Sequence, residues 1–283
     1  MNPDKVIREH VKTLTDLPNI GKAMEADLLS LGITEPGQLC GRSAQDLYQQ
    51  LCRQSSAQHD PCVFDVFISI IRFMAGDVPK PWWHYTRERK EFFNQKHLLA
   101  VTDIFGRTTA FDNLIKKLSR KFTSVEIVDP YDGEARDFEN EDDAYAGFQK
   151  QMGLTGYIRK VNDMLWGRQY LSQIIIGFSA GASAVWAVSP NMKAFKNTRA
   201  ICFYSSQIRH LLDITPEIKT DIYFAARENT YDVDDVISRL SSNRSVNCIK
   251  TDFFHGFMNE KSRNFNKKGY ARYIEILKDQ FKS

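Results

Sequence analysis

The segment Ile174-Ile175-Ile176-Gly177-Phe178-Ser179-Ala180-Gly181-Ala182 is an apolar, β-branched run that ends in G-x-S-x-G and passes into small, helix-compatible residues. It predicts a strand, a sharp turn at Ser179 and a helix. A serine on such a turn is forced into strained backbone geometry, and glycines two before and two after it leave room for neighbouring backbone to pass. Its Oγ then stands clear of the sheet as a candidate nucleophile. The N–H groups that open the helix face the place where an oxyanion would form. The plain alternative is a Gly/Ser turn in an ordinary strand-turn-helix unit, so the chain downstream decides between them.

A serine nucleophile on a parallel sheet needs a general base later in the chain, and between the two a carboxylate that orients the imidazole. Only His210 and His255 follow Ser179. His255 closes a short β-like run, Thr251-Asp252-Phe253-Phe254-His255-Gly256, with a glycine to turn the loop, and is the expected base. His210 lies in a more helical or loop-like stretch. For the acid, the run from Asp221 through Phe224 to Arg227-Glu228 reads as a strand followed by a turn, which favours Glu228, with Asp232 as the alternative if the turn is longer. Asp234 and Asp235 read as the solvated first turn of a helix.

Strand candidates fall at 98–104, 125–129, 172–177, 200–204, 221–226 and 247–252, separated by helical patterns. That alternation predicts an α/β fold with a mostly parallel sheet built from βαβ crossovers.

Over roughly residues 97–281 the chain resembles the dienelactone hydrolase branch of the α/β-hydrolases in three ordered blocks. The first runs from Leu98 to Gly106 through Asp103-Ile104-Phe105-Gly106, then a helix-like 111–118 and Val125 to Asp132; the second is the Ser179 turn; the third is His255-Gly256-Phe257. The resemblance implies an α/β-hydrolase acting on a small-molecule acyl substrate, an ester, lactone or thioester, through an acyl-serine, with no cofactor and no metal. It implies that the backbone N–H groups of Ile104 and Ala180 form the oxyanion hole. Asp103 stands where the family carries a glutamate that contacts the nucleophile, and so is a candidate substrate or nucleophile contact. Without the resemblance, Asp103 is a carboxylate at a strand end, where carboxylates cap the following turn. Tyr204, Phe257, Met258 and Trp186 are candidate apolar lining of an open, lidless pocket.

Residues 1–90 read as a different, all-helical object, followed by a linker at 91–96 and the hydrolase at 97–283. Leu14 to Ile33 predicts two short helices joined by a tight turn at Pro18-Asn19-Ile20-Gly21, which resembles a helix-hairpin-helix. Lys22 is the only basic residue of that hairpin and Glu25 and Asp27 follow it, giving little electrostatic support for nucleic-acid contact. Asp60-Pro61 predicts a helix start. That helix, with Lys80-Pro81-Trp82-Trp83-His84-Tyr85-Thr86, resembles the small bacterial family of pathogenicity-locus and mitomycin-resistance proteins. The Trp82-Trp83 pair is either a binding platform or a plug for the helical domain or its seam.

Five cysteines in 283 residues, an odd number at irregular spacing, predict a reducing cytoplasm in place of a disulfide framework. Cys52, His59 and Cys62 lack a fourth ligand and paired C-x-x-C spacing, so no metal is expected. No membrane-length apolar run is present. A net charge of +3 with 42% hydrophobic and 26% charged residues excludes a strongly basic nucleic-acid binder and a disordered chain. The acidic stretch Asp129 to Asp143 is expected as a solvated connection at the mouth of the sheet. The rival to an enzyme is a binding or scaffold protein that uses a degenerate hydrolase fold, with DNA association through the N-terminal domain.

Overall fold

The computed structural model describes residues 2–195 and 197–281. The chain forms two compact units, Met1–Asn94 with Leu165–Arg168, and Gln95–Met164 with Gln169–Ser283.

The first unit is helical, with α1 (Lys22–Ser30), α2 (Ala44–Ser55), α3 (Pro61–Met74) and α4 (Thr86–Asn94). α3 starts where the sequence places it: Asp60 caps it by accepting from the Cys62 N–H, and Pro61 holds the first position, where a missing N–H costs nothing. Phe64, Phe67, Ile70 and Phe73 recur at helical spacing and are buried, as are Leu47 and Leu51 of α2. The first helix expected in the hairpin is only a 3-10 turn, Leu14–Asp16. Asn19 stops it. At a φ of 63° it takes the left-handed conformation that reverses the chain. Its side chain is then locked inward, donating to Ser69 Oγ at 2.6 Å and to the Lys80 carbonyl at 2.8 Å, and accepting from the Trp82 N–H at 3.2 Å. Trp83, beside it, is 62% exposed. The division between the units, Asn94 to Gln95, falls inside the stretch expected as a linker, 91–96, whose residues carry α4 to Asn94 and enter a strand at Lys96.

The second unit follows an α/β alternation: β1 (Lys96–Val101), α5 (Thr109–Leu118), β2 (Ser124–Val128), α6 (Glu141–Gln151), α7 (Gly153–Leu165), β3 (Ser172–Phe178), α8 (Ala180–Val188), β4 (Thr198–Phe203), β5 (Lys219–Phe224), α9 (Val233–Leu240), β6 (Val246–Lys250) and α10 (Lys267–Gln280). The sheet order is β2-β1-β3-β4-β5-β6 and every pair is parallel. Each strand forms where the apolar runs predict it, with its end one to three residues earlier for most, since the last predicted residues turn out of the sheet. The central strands are buried on both faces, as an all-parallel sheet covered by helices requires: Leu98, Leu99, Ala100, Val101, Ile175, Ile176, Ala200, Ile201, Ile222 and Phe224 are all 1% exposed or less.

The strand order reverses between β1 and β3, and at such a switch point a crevice opens beyond the C-terminal ends of the strands. The loops after β1, β3, β5 and β6 meet there. In the acidic connection after β2, Asp129 departs from expectation. It is buried, accepting from the N–H groups of Tyr131 at 2.8 Å and Gly133 at 2.9 Å, so it shapes the turn while the acidic residues beyond it, Glu141 apart, face solvent. No helix among the described residues is long and apolar enough to cross a membrane.

Backbone packs closely around the Ser179 turn. A Cβ on Gly181 would sit 2.2 Å from the Thr102 carbonyl oxygen and 2.6 Å from that of Val101, and a Cβ on Gly177 would sit 2.8 Å from the Ala182 backbone. Gly181→Ala is therefore expected to lower unfolding free energy by about 3 kcal/mol or more in urea titration, whereas Gly37→Ala, which meets nothing within 4 Å, stays within about 0.5 kcal/mol of the parent. Equal stability of the two variants would contradict the packing described.

Candidate active site

Ser179 joins β3 to α8 with φ 50° and ψ −111°, a left-handed backbone that a non-glycine residue adopts at a cost of about 1–3 kcal/mol. The neighbours hold it there. Its N–H donates to the Phe203 carbonyl at 2.9 Å, and its carbonyl accepts from the Ser183 N–H at 3.0 Å.

Ser179 Oγ lies 2.8 Å from His255 Nε2, and His255 Nδ1 lies 2.8 Å from Glu228 Oε1. A carboxylate can only accept, so Nδ1 carries the proton and Nε2 presents its lone pair to the serine hydroxyl. The Glu228 side chain is 9% exposed, which keeps its hold on the ring out of bulk water. The Tyr204 ring packs against the imidazole with centroids 5.1 Å apart, and Asn264 Nδ2 donates to the His255 carbonyl at 2.9 Å. Of the two candidate acids, Glu228 is therefore the one that reaches His255. Asp232 is the cap of α9, accepting from the N–H groups of Asp234 at 2.8 Å and Asp235 at 3.2 Å. His210 ends a 3-10 turn, Ser206–His210, and points to solvent.

Ala180 is the first residue of α8, so no carbonyl of that helix can take its N–H. Ile104 is held from both sides. Its carbonyl accepts from the Tyr131 hydroxyl at 2.8 Å, and the next amide, that of Phe105, donates to Asp103 Oδ1 at 3.0 Å. Ile104, Ala180, Ser179, His255 and Glu228 all line one cavity of about 450 Å³. Its apolar wall differs from the expected one. Tyr204 lines it, but Trp186 and Phe257 are 0% exposed and Met258 2%, packed in the core. Phe105, Tyr145, Phe148 and Leu154 form the wall, three of them on the α6–α7 segment. The sequence signals nothing about that segment beyond helical spacing.

Asp103 does not hydrogen-bond to Ser179. Its Oδ2 accepts from Asn259 Nδ2 at 2.6 Å and its Oδ1 closes the turn to Phe105, the local cap that a carboxylate at a strand end makes. Burial pushes its carboxyl up to about 6 from an ordinary 3.8, against the pull of the Asn259 and Phe105 hydrogen bonds and of His255. Burial likewise pushes the Tyr131 hydroxyl up to about 12, so it stays a donor to Ile104. Among the described residues no group of three His, Cys, Asp or Glu side chains is arranged to hold a metal ion.

Known proteins match the two units separately. Residues 7–91 match the family described as Cdd1, pathogenicity locus. The mitomycin resistance protein McrB of Streptomyces lavendulae is 38% identical over 77 residues, spanning 27% of this chain and 73% of McrB. The chain belongs to the pathogenicity-locus family. That membership rests on the N-terminal unit alone. The uncharacterized protein YczH of Bacillus subtilis (strain 168) is 28% identical over 197 residues, spanning 66% of this chain and 93% of YczH. Among solved structures, a protein of Klebsiella pneumoniae subsp. pneumoniae MGH 78578 assigned as a dienelactone hydrolase aligns with a TM-score of 0.53 at 10% identity, over 67% of this chain and 88% of that one. At that identity the likeness shows the fold, and this pathogenicity-locus family member carries an α/β-hydrolase fold of the dienelactone hydrolase type.

Asp103 gives the fold a pH signature. Between about pH 3.8 and 6 the folded chain holds a proton that the unfolded chain has released, so stability falls as pH rises through that window. The unfolding free energy of the parent minus that of Asp103→Asn is expected to drop by about 2 kcal/mol between pH 4.5 and 7.5 in urea titrations. A difference that is flat or rises with pH would contradict a buried, ionising Asp103.

Proposed function

We propose that the C-terminal unit is a serine hydrolase that cleaves a small ester, lactone or thioester through an acyl-Ser179 intermediate. The observation that carries this reading is the unbroken relay from Glu228 through His255 to a serine held in left-handed backbone, 2.8 Å at each step. A serine hydroxyl is hardly ionised near neutral pH, so its reactivity depends on a base already in contact with it.

In the first half-reaction Ser179 Oγ attacks the substrate carbonyl carbon while His255 Nε2 takes the hydroxyl proton. The carbonyl π pair moves onto oxygen, where the Ile104 and Ala180 N–H groups stabilise it. Glu228 remains ionised and stabilises the imidazolium without accepting its proton. When the tetrahedral intermediate collapses, the bond to the leaving oxygen or sulfur breaks, and His255 returns its proton to that atom. Water then attacks the acyl-serine with His255 as base, and collapse releases the acid and restores the Ser179 hydroxyl. No step requires an oxidant, a reductant or a co-substrate other than water. A cavity of about 450 Å³ with an aromatic wall suits an acyl group of modest size.

Hydrolysis of p-nitrophenyl acetate tests the roles. Ser179→Ala is expected to reduce turnover to background with an unchanged circular dichroism spectrum. Glu228→Gln should lower kcat by about 10³–10⁴-fold, the scale of losing a triad carboxylate, while Asp232→Asn, whose amide oxygen can still cap helix α9, leaves kcat within about threefold. Turnover retained by a folded Ser179→Ala chain, or a larger loss from Asp232→Asn than from Glu228→Gln, would overturn the assignment.

A further inference from the structure

The two loops that must cooperate in the crevice come from distant strands. Ile104 follows β1, beside the serine-bearing β3, whereas His255 follows β6 at the far edge of the sheet. The segment that holds His255, residues 251–266 between β6 and α10, contains no helix or strand. Sheet pairing therefore runs up to the serine turn on the Ile104 side, whereas the His255 loop lies beyond the strands, tied to the end of β5 by the Ala226 N–H, which donates to the Phe253 carbonyl at 2.7 Å.

One hydrogen bond joins these loops across 156 residues, from Asn259 Nδ2 to Asp103 Oδ2 at 2.6 Å. Both ends are built into their own turns. On one side Asp103 Oδ1 accepts from the Phe105 N–H at 3.0 Å, and the Gly106 N–H donates to the Asp103 carbonyl at 3.1 Å. On the other the Asn259 N–H donates to the Gly256 carbonyl at 2.9 Å, Asn259 Oδ1 accepts from the Lys261 N–H at 2.8 Å, and the Asn259 carbonyl accepts from the Ser262 N–H at 3.0 Å. Each loop is thus a small rigid body with one arm reaching for the other. Asp103 is 6% exposed, and burying a carboxylate is unfavourable unless its acceptors are filled, which the Asn259 and Phe105 donors do.

We propose that Asp103 and Asn259 are positioning residues that form a clasp, setting the loop that carries the Ile104 N–H at a fixed distance from the loop that carries His255. The catalytic consequence rests on the serine hydrolase reading; the mechanical coupling of the loops does not. An oxyanion donor and a base serve the same tetrahedral centre, and a displacement of about 1 Å between such groups costs about 10²-fold in rate. The His255 loop keeps a second strut, Ser262 Oγ donating to Glu141 Oε1 at 2.6 Å, so loss of the clasp loosens the loop without releasing it.

The chemistry of the pair supplies its own control. Asp103→Asn alone sets an amide donor against the Asn259 donor. With Asn259→Asp added, a donor again faces an acceptor, and the Phe105 and Lys261 N–H groups keep theirs. Amide hydrogen exchange on the full chain reads the coupling directly. Asn259→Ala should speed exchange at Phe105 and Gly106, in the other loop, by at least tenfold, and Asp103→Asn should do the same at Asn259 and Ser262; the double variant should return both to within threefold of the parent. Under the serine hydrolase reading, each single variant lowers kcat on p-nitrophenyl acetate at least tenfold with KM within twofold, and the double variant recovers it. Exchange that changes only in the mutated loop overturns the clasp, whatever the activity. Exchange that couples as described in a parent chain without esterase activity upholds the clasp and sinks the hydrolase reading.

Discussion

The backbone between β3 and α8 passes so close to the end of β1 that no side chain fits between them. This contact at Gly181, against the carbonyls of Val101 and Thr102, is the constraint on which the rest of the site depends. It forces α8 to start directly over the β1–β3 switch point, and it leaves Ser179 no option but left-handed backbone. Strain at that residue is offset by the sheet around it, where Phe203 accepts its N–H and the strands on both sides are buried. The same approach brings Ala180 and the loop through Ile104 into the cavity that Ser179 lines.

The remaining parts are reached from further away and are held by hydrogen bonds instead of backbone contact. Glu228 leaves the end of β5 and His255 the loop after β6, and each is fixed by a partner at 2.8 to 2.9 Å: the imidazole for Glu228, Glu228 and Asn264 for His255. This division explains where buried polar groups concentrate. Asp103 and Tyr131 are buried and hold the loop through Ile104, which lines the cavity, and Asp129 is buried and closes the turn after β2. Desolvation of Asp103 is unfavourable for stability, as its raised carboxyl indicates. In a core built only for stability, apolar residues would serve better.

What was legible in the sequence follows the same division. The central strands could be read because an all-parallel sheet demands apolar runs, the edge strands β2 and β6 from their β-branched residues, and the Ser179 turn because a close backbone approach demands glycine at two set positions. α3 could be read from Asp60-Pro61. Contacts made by long-range side chains left no such trace. Asn259 sits four residues after His255 in a loop with no periodicity, and its partner lies 156 residues away. Asp232 was a reasonable acid by position alone; only the course of the chain into α9 shows that its oxygens are taken by Asp234 and Asp235. Trp186, Phe257 and Met258 illustrate that an aromatic or sulfur side chain near a motif is more often core than lining. In the N-terminal unit, the turn at Pro18-Asn19-Ile20-Gly21 is legible, but with a left-handed Asn19 drawn inward by Ser69, Lys80 and Trp82 only a 3-10 turn, Leu14–Asp16, stands where the first helix is expected.

The central claim is that the geometry at Ser179 makes this one hydroxyl nucleophilic. Treating the full chain with an alkyl fluorophosphonate and locating the adduct by peptide mass spectrometry tests it most directly. Stoichiometric modification of Ser179 Oγ in the folded protein, abolished when the chain is first unfolded in urea, is the expected result. An unmodified Ser179 in the folded chain, or modification that persists after unfolding, would contradict it.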